Sequence, residues 1–147
     1  MARPSDGDYR RLLEFRAGIR QFLRWSQRAA EAEGLNPAVH QLMLAIRGSG
    51  EEAGPTIADA AAWLVVQHNT AVGIVDRAER AGLVERSRDP ADRRIVRLQL
   101  APEGIARLDR LTAQHLEELR RMGPALAVLW QDLPSPGTAG RSADNAG

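Results

Sequence analysis

Gln67, His68, Asn69 and Thr70 stand side by side, and the arginines Arg77, Arg86, Arg88, Arg93, Arg94 and Arg97 follow through a stretch rich in turn residues. Amide, imidazole and hydroxyl groups offer the paired donors and acceptors that read base edges in a groove. Guanidinium groups match phosphate oxygens with two parallel hydrogen bonds, which an ammonium cannot do. Upstream, Thr56 precedes an apolar helical segment, where a hydroxyl and free backbone amides at a helix start can hold a phosphate. Each feature also has a plainer counterpart: a polar first turn, a solvated hairpin tip, an ordinary cap. Their order along the chain favours recognition of a polyanion.

Other chemistry lacks support. His40, His68 and His115 fall on three different predicted helices. His115 and Glu118 share helical spacing, but two ligands do not make a metal site. Cysteine is absent, which excludes disulfides, thiolate metal sites, a thiol nucleophile and thiol-based redox sensing. The glycine-rich GSGEEAG segment lacks both the lysine and the preceding strand of a phosphate-binding loop. No G-x-S-x-G elbow or paired-carboxylate arrangement is present, so neither enzymatic activity nor a cofactor is expected.

Positioning these side chains falls to a chain of 147 residues, the size of one ordinary domain. A hydrophobic share of 44% and a charged share of 27% are those of a globular protein. The net charge of +1 does not announce a polyanion partner, so a basic region has to be local. All 20 basic residues are arginine; alongside the many alanines, that composition is also what a GC-rich coding bias produces. The longest apolar run, Ala60–Val66, is far shorter than the roughly 20 residues a membrane span needs, and no basic-plus-apolar leader is seen. A cytoplasmic location without membrane contact is expected.

After a frayed start at residues 1–7, the spacing of Leu12, Phe15, Ile19, Phe22 and Leu23 predicts a helix over 8–33, closed by Gly34. Asn36-Pro37 caps a second helix to about Ile46, and 47–54 reads as a loop. A third helix over about 57–64 and a fourth from about His68 to Ala81 follow, the latter stopped by Gly82. Val84–Arg88 and Ile95–Leu100 read as strands around the turn DPADRR. A long helix from Pro102 to about Met122 is broken by Gly123-Pro124 and followed by a short closing helix to Leu133. Residues 134–147 have nothing to bury and are expected to be a disordered tail. The predicted fold is mainly α with a small β-hairpin wing: a winged helix-turn-helix at about 55–100, flanked by amino- and carboxy-terminal helices in one domain, 1–133.

The run AVGIVDRAERAGLVERSRDPADRRIVRLQLAPEG, residues 71–104, together with Asn36-Pro37, resembles the MarR family of bacterial transcriptional regulators. The resemblance extends over about residues 8–130. It implies homodimers paired through helices at about 8–33 and 102–133, with Gln67–Thr70 presented to bases and Arg77 near the backbone. It places Arg94 as the minor-groove arginine of the wing and Asp92 as the acidic residue orienting it. It further implies a small aromatic or anionic effector, in a cleft near Trp25, His40, Met43 and Trp63. The chain departs from the family pattern at LVVQHN, where Leu-Gly-Val-Ser is usual, and at Ala101, where a capping threonine is usual.

The function so implied is a homodimeric, sequence-specific regulator, typically a ligand-responsive repressor, on a palindromic operator in double-stranded DNA. The alternatives are a winged-helix protein-interaction module and a small helical enzyme with its site in the interhelical cleft.

Overall fold

In the computed structural model, which describes residues 2–131, five helices and a hairpin follow in the order α1 Asp6–Ala32, α2 Pro37–Gly48, α3 Ile57–Leu64, α4 His68–Arg80, β1 Val84–Arg88, β2 Val96–Leu100 and α5 Pro102–Ala127. A 3-10 turn, Val128–Trp130, follows α5. The tail expected at 134–147 lies outside the described residues.

Local signals set most boundaries. Ser5 and Asp8 form a reciprocal capping box, so α1 starts two residues before the expected Asp8; the S-x-x-D pattern is the sequence signature of that box. Asn36 accepts from the amides of Ala38 and Val39, with Pro37 at the first helical position. Gly34 and Gly82 take positive φ where α1 and α4 end, the left-handed backbone that glycine adopts at no steric cost. Helix α2 runs two residues past Ile46, and Ile95 lies just outside β2, pairing within the turn instead.

One expectation is overturned. Gly123-Pro124 does not break the last helix; α5 continues through Pro124 to Ala127. Proline removes one intrahelical bond, but here it sits in the final turn, and the residues beyond it pack against α1. Leu126 lies over Gly18, where a β-carbon would stand 2.6 Å from Leu126 Cδ2. That contact holds the end of α5 in register.

The core lies between α2, α4, the hairpin and the first half of α5. Leu42, Met43, Leu98, Leu111, Val39, Val75 and Val84 are its largest fully buried side chains. The strands pair antiparallel, Val84 opposite Leu100 and Arg88 opposite Val96. The Leu98 amide also donates to the Pro55 carbonyl at 2.8 Å, tying the segment before α3 to the hairpin. Ala101 caps α5 without a side-chain bond, as its missing hydroxyl requires.

Candidate nucleic-acid interface

Helices α3 and α4 are joined by a single sharp turn. Val65 ends α3 at φ 55°, ψ 48°, and the amides of Val65 and Val66 bond back to Ala62 and Ala61. A β-branched residue in this left-handed conformation is strained. Fold and strain together start α4 at His68, with Gln67 as an N-cap whose side chain makes no capping bond. Gln67, His68, Asn69 and Thr70 are all exposed, and their side chains make no hydrogen bond with other described residues. Their donors and acceptors, with the unpaired amides of the first turn, face outward. Ala71, Val75 and Ala78 bury the opposite side of α4.

Thr56 is differently placed. Its hydroxyl accepts from the Asp59 amide at 3.1 Å, and its own amide donates to Asp59 Oδ2 at 3.0 Å. The acidic partner already occupies the start of α3 and opposes an incoming phosphate there.

The wing sorts its arginines. Arg86 turns toward α4, with NH2 bonded to Asp76 Oδ1 and Nε 3.9 Å from Glu79. Arg88 donates to the Arg93 carbonyl within the wing. Arg94 grips Asp92 through Nε at 3.0 Å and NH2 at 2.9 Å, while its side chain stays 90% exposed. That grip holds the Asp92 carboxyl below its ordinary value, with help from the Arg94 amide. The side chains of Arg77 and Arg93 are exposed and have no partner among the described residues. The hairpin that carries the exposed Arg93 and Arg94 is joined to α4 through Arg86 and Asp76.

Asp89, absent from the expected site, organises the wing together with Arg97. Asp89 is buried at the end of β1; its Oδ1 accepts from the amides of Ala91 at 2.7 Å and Asp92 at 3.2 Å. Its Oδ2 accepts from Arg97 Nε at 3.0 Å. The Ala91 amide first, then Arg97 and the Asp92 amide, hold its carboxyl below the usual range. Asp89-Pro90 carries the signature of a side-chain-capped turn, but its match to Arg97 depends on strand register.

The four residues expected around an effector separate. Trp25 packs edge-on to His115 at 4.8 Å between ring centroids, and His40 lies 4.9 Å from the same ring. Phe22 and Ser26 complete this cluster between α1, α2 and α5. His115 Nδ1 donates to the Leu111 carbonyl, since that oxygen can only accept, and Nε2 pairs with the Ser26 hydroxyl at 2.7 Å. Burial, then the neighbouring His115 ring, pushes the His40 pKa down to about 4. Met43 is fully buried in the core. Trp63 stands 64% exposed over a separate hollow lined by Gln41, Leu44 and Leu64.

Among the described residues no group of three or more histidine, cysteine, aspartate or glutamate side chains is placed to hold a metal. No helix among them is long and apolar enough to cross a membrane.

A helix pair joined by a sharp turn, an outward-facing second helix and a two-stranded hairpin packed on it define a winged helix-turn-helix fold. Residues 33–95 match the model of the MarR family, and the fold is that of solved MarR family structures. An uncharacterised HTH-type transcriptional regulator of Bacillus subtilis, YsmB, is 37% identical over 67 residues, 46% of this chain and 46% of that protein. The chain thus matches about half the length of that relative. AbsC, a MarR family regulator from Streptomyces coelicolor, superposes with a TM-score of 0.71 at 18% identity, over 86% of this chain and 84% of its own. A MepR mutant from S. aureus, solved bound to an oligodeoxyribonucleotide, gives 0.61 at 20% identity over 83% and 96%. These likenesses establish the fold.

Proposed function

We propose that the chain is a transcriptional regulator that binds double-stranded DNA sequence-specifically, as a homodimer on a palindromic operator, and responds to a small effector as a repressor. The carrying observation is the exposed, uncommitted row Gln67–Thr70 at the start of α4, together with the exposed arginines of the wing. Base edges pair with such amide and hydroxyl groups, while phosphates take the guanidinium contacts. MepR's complex with an oligodeoxyribonucleotide supports this use of the fold.

Self-association is supported by large apolar side chains left uncovered on the outer helices. Tyr9, Leu12, Leu13 and Leu23 of α1 are each more than half exposed, and Leu116 and Leu119 of α5 are 48% and 43% exposed. Exposed apolar faces of this extent mark a partner surface. Two reading heads related by a two-fold axis meet half-sites about one helical turn apart, hence the palindrome. The Trp25–His40–His115 cluster joins the outer helices to α2. An aromatic or anionic effector lodged there would act by favouring one relative placement of the two heads. A location in the cytoplasm follows from this role.

Selection of bound duplexes from a random pool tests the reading. An imperfect palindrome is expected, and Asn69→Ala or Gln67→Ala should relax preference at particular base pairs by about 1–3 kcal/mol. Absence of salt-dependent binding to any duplex overturns it, in favour of a protein-interaction module.

A further inference from the structure

We propose that Arg97 is the positioning residue of the wing, setting where Arg94 stands through a relay that ends on the segment before α3. This inference rests on the DNA-binding reading above. Arg97 lies on the face of β2 opposite the buried Leu98, so it adds nothing to the core. Its guanidinium fork spans two segments: Nε donates to Asp89 Oδ2 at 3.0 Å and NH1 to the Gly54 carbonyl at 3.3 Å. The pair is mostly withdrawn from water, at 21% and 12% side-chain exposure. Asp89 passes the constraint on through the amides of Ala91 and Asp92, and Asp92 holds Arg94 by its guanidinium and its amide.

The far end of the relay is firmly seated. A β-carbon on Gly54 would stand 2.1 Å from the Leu98 carbonyl oxygen, so the loop already touches β2 backbone to backbone. Gln99 donates to Ala53 O and the Leu98 amide to Pro55 O beside it. Pro55 leads directly into α3, which carries the turn to the reading helix. A two-stranded hairpin alone is marginally stable in water, and its tip would sample many directions. Arg97 and Asp89 convert the wing and the head into one body, so Arg94 is presented at a fixed offset from Gln67–Thr70. Lysine cannot replace this function, because one ammonium on a flexible stem lacks the rigid fork that serves both acceptors.

A double-mutant cycle on the selected duplex, read by fluorescence anisotropy, tests the relay. Arg94→Ala and Arg97→Gln are each expected to weaken binding on the order of tenfold, the worth of one charged hydrogen bond. Because Arg97 acts through Arg94, the double variant should be no weaker than Arg94→Ala alone. Arg97→Lys, which keeps the charge and the fold, should lose as much as Arg97→Gln; melting curves of all variants accompany the titrations. Losses that multiply in the double variant, or full binding by Arg97→Lys, overturn the inference while leaving the wing contact intact. No loss in Arg94→Ala overturns the wing reading itself, and the inference with it.

Discussion

Arg86 of β1 is bonded to Asp76 of α4, so a cation in the middle of the basic wing is spent inside the protein. Arg88, two residues on, donates to the Arg93 carbonyl within the wing. Charge on the hairpin therefore divides into arginines that brace the wing against the reading helix and arginines left for a partner. This division is measurable. Arg94→Ala should lower the salt slope of DNA binding by about 1, the signature of one lost phosphate contact, whereas Arg86→Gln should leave the slope unchanged. A lowered slope in Arg86→Gln would mean that the Asp76 pair opens on the duplex. Half-exposed pairs of this kind are worth at most about 1 kcal/mol of stability, so the Arg86 variant should remain folded.

Val65 should be the easiest position at which to stabilise the chain. It holds φ 55° with 89% of its surface exposed, so its side chain contributes strain and almost no packing. Val65→Gly is expected to raise stability by roughly 0.5–1 kcal/mol, the left-handed penalty relieved less the added entropy of the unfolded glycine. Denaturant melts of the two proteins check it. A destabilised variant would show that the valine makes contacts that outweigh its strain.

Gly54 and Gly50 separate two costs that usually come together. Both have positive φ, 90° and 78°, but only Gly54 has the Leu98 carbonyl where a β-carbon would go; nothing lies within 4 Å at Gly50. Gly50→Ala should cost about 1 kcal/mol, the backbone penalty alone. Gly54→Ala should cost some 2–3 kcal/mol more, because the loop must leave β2. Equal midpoints for the two variants would show that this loop yields easily.

Stability should fall with acid in a window set by His40. Its pKa drops from 6.5 to about 4 on folding, so the folded protein binds fewer protons between those values. The contribution is complete above about pH 6.5, declines as pH falls, and is exhausted near pH 4, for a total of about 3 kcal/mol. The lowered carboxylates Asp8, Asp89, Asp92 and Glu118 act in the same direction below that window. Melts of His40→Gln across pH 4–7 should be flatter than those of the parent chain. Parallel curves would assign the acid sensitivity elsewhere.

Element order, the caps at Asn36 and Thr56, the stop at Gly82 and the exposed row Gln67–Thr70 were all legible in the amino-acid order. Each depends on residues within about one helical turn of one another, where side-chain chemistry and backbone periodicity decide the outcome locally. The continuation of α5 through Pro124 was not legible, because it depends on Leu126 meeting Gly18 more than a hundred positions away. Nor was the sorting of the arginines. Whether Arg86, Arg94 or Arg97 faces a carboxylate or the solvent follows from strand register and the approach of α4 and the loop before α3. The same holds for Trp63, placed apart from Trp25 and His40 by the packing of α2 and α3. Composition and spacing determined which side chains this protein has available for recognition. Tertiary packing alone decided which of them remain free, since a charge is committed only when the fold brings its partner within a few ångströms.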